Sequence, residues 1–156
     1  MNCHRLAGSR PPLPPGRYIP GMTKLPVIME GLHGTLTIDT TSAGAVRVTI
    51  TGRDIGEFGA APFRVLDELL AAGPFALFID ARATQGASVD VSNVWAQWLR
   101  ANRDRLHRIH MVTGSRFIQL TADFVRRFAE LGDAMHIYTD GAAFDEALAA
   151  GATSRS

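Results

Sequence analysis

The chain is expected to fold as an α/β domain on a mixed sheet of about five strands, with its elements in the order β-β-α-β-α-β-α-β-α. Three features of the sequence say so. Apolar residues alternate with polar ones through Leu36 and Ile38, and again through Val46, Val48 and Ile50. The run Phe75-Ala76-Leu77-Phe78-Ile79 is apolar throughout. Further along, stretches with apolar residues three and four apart lie between short strand-like runs.

The alternation turns one face of each of the first two strands inward. Ser42-Ala43-Gly44 supplies turn residues between them, so the opening unit is an antiparallel hairpin. Gly52 to Gly59 reads as a loop. Pro62 suits the first turn of a helix, where no amide donor is needed, and Phe63, Leu66, Leu69 and Leu70 follow at helical spacing until Gly73-Pro74. Phe75–Ile79 suits a central strand covered on both faces. After a loop over 81–90, Val91, Val94, Trp95, Trp98 and Leu99 make a second helical stripe. Ile109, Met111 and Val112 form the next strand. Phe117, Leu120, Phe124, Phe128 and Leu131 mark a third helix, ended by Gly132. Met135, Ile137 and Thr139 alternate as a last strand, and Phe144, Ala147 and Leu148 mark a short closing helix. Strands joined through single helices run parallel, with right-handed crossovers. Trp95, Trp98, Phe117, Phe124 and Phe128 are expected in the core against the sheet. One tryptophan is expected to stay partly exposed as a partner or dimer contact, because residues three apart on a helix diverge in direction.

Bulk properties narrow the class. The prolines Pro11, Pro12, Pro14, Pro15 and Pro20 make 1–25 read as a disordered tail, of which 1–21 reads as an extension ahead of a start at Met22. Residues 26–150 then form one domain and 151–156 a disordered C-terminus. A hydrophobic content of 46% is enough for a core. The formal net charge is +1 and the basic residues are dispersed, so nucleic acid is not an expected partner. Apolar runs stop near five residues, against the roughly 20 that span a bilayer. With no apolar run of signal-peptide type in 1–21, a cytoplasmic location is expected. The only cysteine is Cys3, which excludes an internal disulfide.

The succession resembles the STAS domain, the SpoIIAA-like fold of bacterial anti-sigma-factor antagonists, over about 36–150. Val46-Arg47-Val48-Thr49-Ile50-Thr51-Gly52 is similar to the family's strand before its first helix, and Phe75 to Asp80 to its central strand. Ile137-Tyr138-Thr139-Asp140 followed by Ala143 to Leu148 is similar to its final strand and helix. In the antagonists an Asp-Ser-Ser-Gly motif opens the second long helix, and its second Ser is phosphorylated by a partner kinase. Asp90-Val91-Ser92-Asn93 stands at that place, with Val91 and Asn93 where the motif has Ser and Gly. The resemblance implies a non-enzymatic regulatory module that contacts an anti-sigma-factor or kinase-like protein. Contact would run through 81–93 and the second helix, with Ser92 as phosphoacceptor and Asp90 and Asn93 as its switch neighbours. A homodimer is compatible with it. The family also holds stand-alone relatives without the phosphorylation motif, some similar in fold to CRAL-TRIO lipid-binding domains. They imply the alternative, a small-molecule or lipid-binding module with its pocket between the second and third helices and the sheet.

Residue chemistry offers other candidates. Ser92 also reads as a helix N-cap. Asp80, Thr113, Ser115 and Arg116 fall at strand ends, where open parallel sheets bind ligands, and form a possible anion-binding rim around the Gly114 turn. The same residues suit the plainer work of capping helices and holding loop amides. His107 and His110 have no accompanying carboxylate or cysteine, and His33 and His136 are isolated, so neither a metal nor another cofactor is expected. No Gly-x-Ser-x-Gly, Gly-x-x-x-x-Gly-Lys or Gly-x-Gly-x-x-Gly run occurs, and catalysis is not expected. Asp123, Arg126, Arg127 and Glu130 read as a solvated charged face.

Overall fold

A computed structural model describes residues 24–151. The expected tails, with Cys3 and Met22, lie outside the described residues, save Lys24, Leu25 and Gly151. The elements are β1 (Val27–Glu30), β2 (Gly34–Thr40), β3 (Val46–Asp54), α1 (Ala61–Ala71), β4 (Phe75–Ala87), α2 (Val89–Asn102), β5 (Leu106–Thr113), α3 (Arg116–Phe128), β6 (Met135–Tyr138) and α4 (Gly141–Ala150). Single 3₁₀ turns at Arg103–Arg105 and Gly132–Ala134 lead into β5 and β6.

The sheet has six strands in chain order, β1-β2-β3-β4-β5-β6. The first two pairings are antiparallel and the last three parallel. The strand beyond the expected five is β1. Its four residues, Val-Ile-Met-Glu, follow the proline-rich stretch without alternation, so local pattern is silent there. Tertiary pairing forms it instead: Val27 sits opposite Ile38 and is fully buried. Between β1 and β2 the chain turns at Gly31–His33, and His33 O accepts Arg53 N across to β3 at 2.9 Å. Gly52 makes that approach possible. Its φ is 78°, and a Cβ there would stand 2.4 Å from His33 O.

Two expected loops are shorter than the sequence suggests. β3 runs on through Gly52 to Asp54, and β4 continues from Asp80 to Ala87. Both extensions pair with each other, Thr51 opposite Ala83 and Asp54 opposite Ala87. The extension Ala81-Arg-Ala-Thr-Gln-Gly-Ala87 has few strand-favouring residues, and its pairing with β3 outweighs that weak propensity.

Right-handed crossovers between successive parallel strands put α1, α2 and α3 on one face, while the chain doubles back after β6 to lay α4 on the other. Alternation sorts the core accordingly. Leu36, Val48, Ile50, Leu77, Ile79 and Ile109 meet the three-helix face. Ala76, Phe78 and Val112 meet Phe144 of α4 on the other. Both tryptophans are buried, Trp95 at 8% exposure and Trp98 at 9%, so the expected exposed tryptophan does not occur. Trp95 meets Phe63 edge to face at 4.8 Å, and Trp98 Nε1 donates to Asp67 Oδ1 of α1 at 2.8 Å. That bond satisfies the indole N–H, which is what lets Trp98 bury.

α3 corrects the core list further. Its buried residues are Ile118, Ala122 and Val125, whereas Phe117, Leu120, Phe124 and Phe128 are exposed at 58, 54, 39 and 44%. The helix carries two apolar stripes about one residue, or 100°, apart. The slimmer stripe, with Ala122 and Ala129, faces inward and lets the helix lie close to the sheet. The bulkier aromatic stripe is left outside.

Candidate functional site

In this topology the ends of β3, β4 and β5 and the starts of α1, α2 and α3 gather at one end of the molecule. The β1–β2 turn joins them there, because Gly34 pairs with Gly52. Ligands of open parallel sheets bind at this kind of end.

α2 begins one turn earlier than a cap at Ser92 would place it. Its N-cap is Ser88, whose Oγ accepts Val91 N at 3.2 Å. Ser92 is therefore not the cap. It lies within the first turn at 8% exposure, and its hydroxyl donates to Ser88 O at 3.1 Å. Asp90 is exposed and Asn93 half-buried, so the turn presents Asp90 outward and holds Ser92 inward.

The residues of the expected anion rim do not converge. Asp80 sits within β4 on the α4 face, gripped by Arg82 through Nε and Nη2 at 3.1 and 2.8 Å. Burial raises its pKa, but the side-chain and backbone bonds from Arg82, with Arg47 nearby, outweigh this and hold it below its ordinary value. Arg82 also reaches Asp145 of α4 at 2.9 Å, tying that helix to the sheet. Thr113 is buried on the opposite face by alternation. Ser115 caps α3 by accepting Ile118 N, and Arg116 is exposed. A Cβ on Gly114 would come 2.3 Å from Arg82 O, so an acceptor oxygen stands against that turn.

His107 is exposed, and His110 is buried with its ring stacked on Phe78 at 4.2 Å. His110 Nδ1 bonds the Tyr138 hydroxyl at 2.9 Å, while Nε2 meets no partner. Burial, with His136 and Arg108 nearby, pushes its pKa down to about 4.

The feature that sequence reasoning missed is Asp54. This last residue of β3 is 7% exposed, and burial raises its pKa against the opposing bond from Gly56 N, with Glu57 adding to the rise. One oxygen accepts Gly56 N at a long 3.4 Å; the other has no hydrogen-bond partner among the described residues. Asp54 lines two adjoining cavities. A small one of about 60 Å³ lies between α2, α3 and the sheet, walled by residues such as Ile79, Leu99, Ala122 and Met135. A larger groove of about 300 Å³ lies between the β3–α1 loop and the starts of α1 and α2. Asp54, Val91 and Trp95 border both. The small cavity's hydroxyls are committed: Thr84, Ser92 and Thr121 donate to the carbonyls of Ile50, Ser88 and Phe117. Toward a guest they offer only acceptor oxygens or methyl groups. The sequence hint was an acid closing a strand one residue after Gly-Arg, in a place read as loop.

No family model matches the chain, and no curated protein does. Solved structures do. An uncharacterized protein with a SpoIIAA-like fold from Shewanella loihica PV-4 superposes with a TM-score of 0.56 at 14% identity, over 81% of this chain and 98% of that one. An anti-sigma factor antagonist from Mycobacterium paratuberculosis superposes with a TM-score of 0.52 at 18% identity, over 76% of this chain and 93% of that one. Among the described residues, no helix is long and apolar enough to cross a membrane. Strand order, mixed pairing, helix placement and these superpositions give one result: the chain has the SpoIIAA-like fold of STAS domains.

Proposed function

We propose that this chain is a non-enzymatic regulatory module that docks a protein partner at the end of the sheet where α1, α2 and α3 begin. The observation that carries the reading is the apolar surface exposed there. Leu32 is 94% exposed, Val89 75%, Phe117 58%, Val94 45% and Ile55 42%. Large apolar side chains grouped at one end of a domain mark an interaction surface. The aromatic stripe of α3 continues this surface from Phe117 to Phe128 and suits either a partner or a second copy. The serine hydroxyls of this end support a non-catalytic role, since Ser88 and Ser115 cap helices and Ser92 bonds its own turn. The partner proposed is an anti-sigma-factor or kinase-like protein in the cytoplasm, a reading supported by the fold shared with the mycobacterial antagonist.

Phosphorylation of Ser92 belongs to this reading in a defined form. Its buried hydroxyl reaches a kinase only when the first turn of α2 opens, and a phosphate there would hold the turn open. Asp90 and Asn93 would then flank the modified residue. The test compares wild-type protein, purified with its partners from its own source, with a Val89→Ser/Phe117→Ser variant. A stoichiometric partner retained by the first and lost by the second, at unchanged melting temperature, supports docking. Equal retention by both sinks it.

A second reading, a small-molecule-binding module of the same fold, is favoured by the two cavities around Asp54.

A further inference from the structure

We infer that the groove between the β3–α1 loop and α2 is a binding site for an organic cation, an ammonium or guanidinium group carried on an apolar body. The inference rests on reading the Asp54 cavities as a ligand site, and it does not depend on partner docking.

The chemistry of the lining selects the guest. Two carboxylates border the groove, Asp54 within and Asp90 at its exposed edge, and no lysine, arginine or histidine is among its lining residues. Both carboxylates disfavour an anionic guest, opposing the attraction that the starts of α1 and α2 would otherwise exert on it. Asp54 is held at 7% exposure with one oxygen unpartnered, an arrangement that a donor from a guest completes. Burial is the main cause of its raised pKa, with Glu57 adding to it, and a cation beside the carboxylate would oppose that rise. The remaining walls include three aromatic rings, Phe58, Phe63 and Trp95. Aromatic faces attract a desolvated cation and also bury an alkyl or aryl body. The groove's 300 Å³ accommodates a side-chain-sized group, and the adjoining 60 Å³ cavity, with apolar walls and acceptor oxygens, offers room for the end of an apolar tail. Such a group comes either from a free amine or from a lysine or arginine of a docked protein. The chemistry is shared.

The experiment is calorimetric titration of the full chain with three probes of one length: hexylammonium, hexan-1-ol and hexanoate. Hexylammonium is expected to bind about tenfold more tightly than the alcohol, and hexanoate more weakly than both. Asp54→Asn is expected to bring hexylammonium down to the level of the alcohol, and Asp90→Asn to weaken it about threefold in low salt. The Trp95 indole resonance, assigned with a Trp98→Phe variant, should shift on titration. Acetyl-arginine-amide binding more tightly than hexylammonium identifies a partner side chain as the source, and the reverse order a free amine; either supports the site. Equal binding of all three probes keeps a ligand cavity but overturns the cation assignment. Binding of none overturns both, and preferential binding with Trp95 unmoved overturns the location. Should Asp54→Asn fail to fold, Asp90→Asn and the probe series on the unaltered chain decide the question.

Discussion

Lowering the pH from about 7.5 to about 5 should cost the folded state about 2 kcal/mol through His110 alone. The imidazole titrates at an ordinary 6.5 when unfolded and at about 4 when folded, because burial disfavours its charge, with His136 and Arg108 adding to the effect. The unfolded chain therefore binds this proton more tightly. Stability from this group is fully present above 6.5 and is lost as pH falls toward 4. At about 1.4 kcal/mol per pKa unit the full loss approaches about 3 kcal/mol, of which about 2 kcal/mol has gone by pH 5. The structural cause is plain: the ring lies against Phe78, and its Nε2 has no acceptor to receive a second N–H. His110→Phe keeps a ring over Phe78 and removes the titration, at about 1 kcal/mol for the lost bond to Tyr138. Urea unfolding of both proteins at several pH values measures the difference between their stability curves. Carboxylates such as Asp54 and Asp80 contribute to each curve and cancel in the comparison. Parallel curves for wild type and variant between pH 5 and 7.5 would refute the reasoning.

Four tests by substitution probe other parts of the structure. Ser88→Ala should lower stability by about 1 kcal/mol by removing the cap of α2, read by urea midpoint. Ser92→Asp should cost about 1–3 kcal/mol, because it places a carboxylate in a buried first turn. A neutral effect would show that the turn is already open in solution. Ile118→Ala should cost about 2–5 kcal/mol while Phe124→Ser changes stability by under about 0.5 kcal/mol. The reverse ranking would mean α3 is rotated from the orientation described. Trp98→Phe should lose about 1–2 kcal/mol with its bond to Asp67, and Asp67→Ala should add little on top of it in a double-mutant cycle.

Much of this fold was legible in the sequence because it depends on local periodicity. Val46, Val48 and Ile50 all face the core as their alternation requires, and Phe75–Ile79 is the buried central strand. What was illegible depends on partners distant in sequence. β1 exists because β2 offers it an edge, and the second halves of β3 and β4 exist because they pair with each other. The two stripes of α3 differ by one residue, and periodicity alone ranks the bulkier one first; packing distance to the sheet decided for the slimmer. Ser92 was legible as a residue near a helix start but not as a buried one, since the true cap is the serine four residues earlier. Asp54 gave almost no signal, because a carboxylate in an apparent loop looks solvated until the opposing helices are in place.

Each strand of this sheet lies beside the strand that precedes it in the chain. With that order, each strand needs only the strand before it in the chain as a pairing template, and no later segment has to be in place first. Folding by growth from one edge would confine unpaired backbone to a single advancing margin, a route this strand order permits.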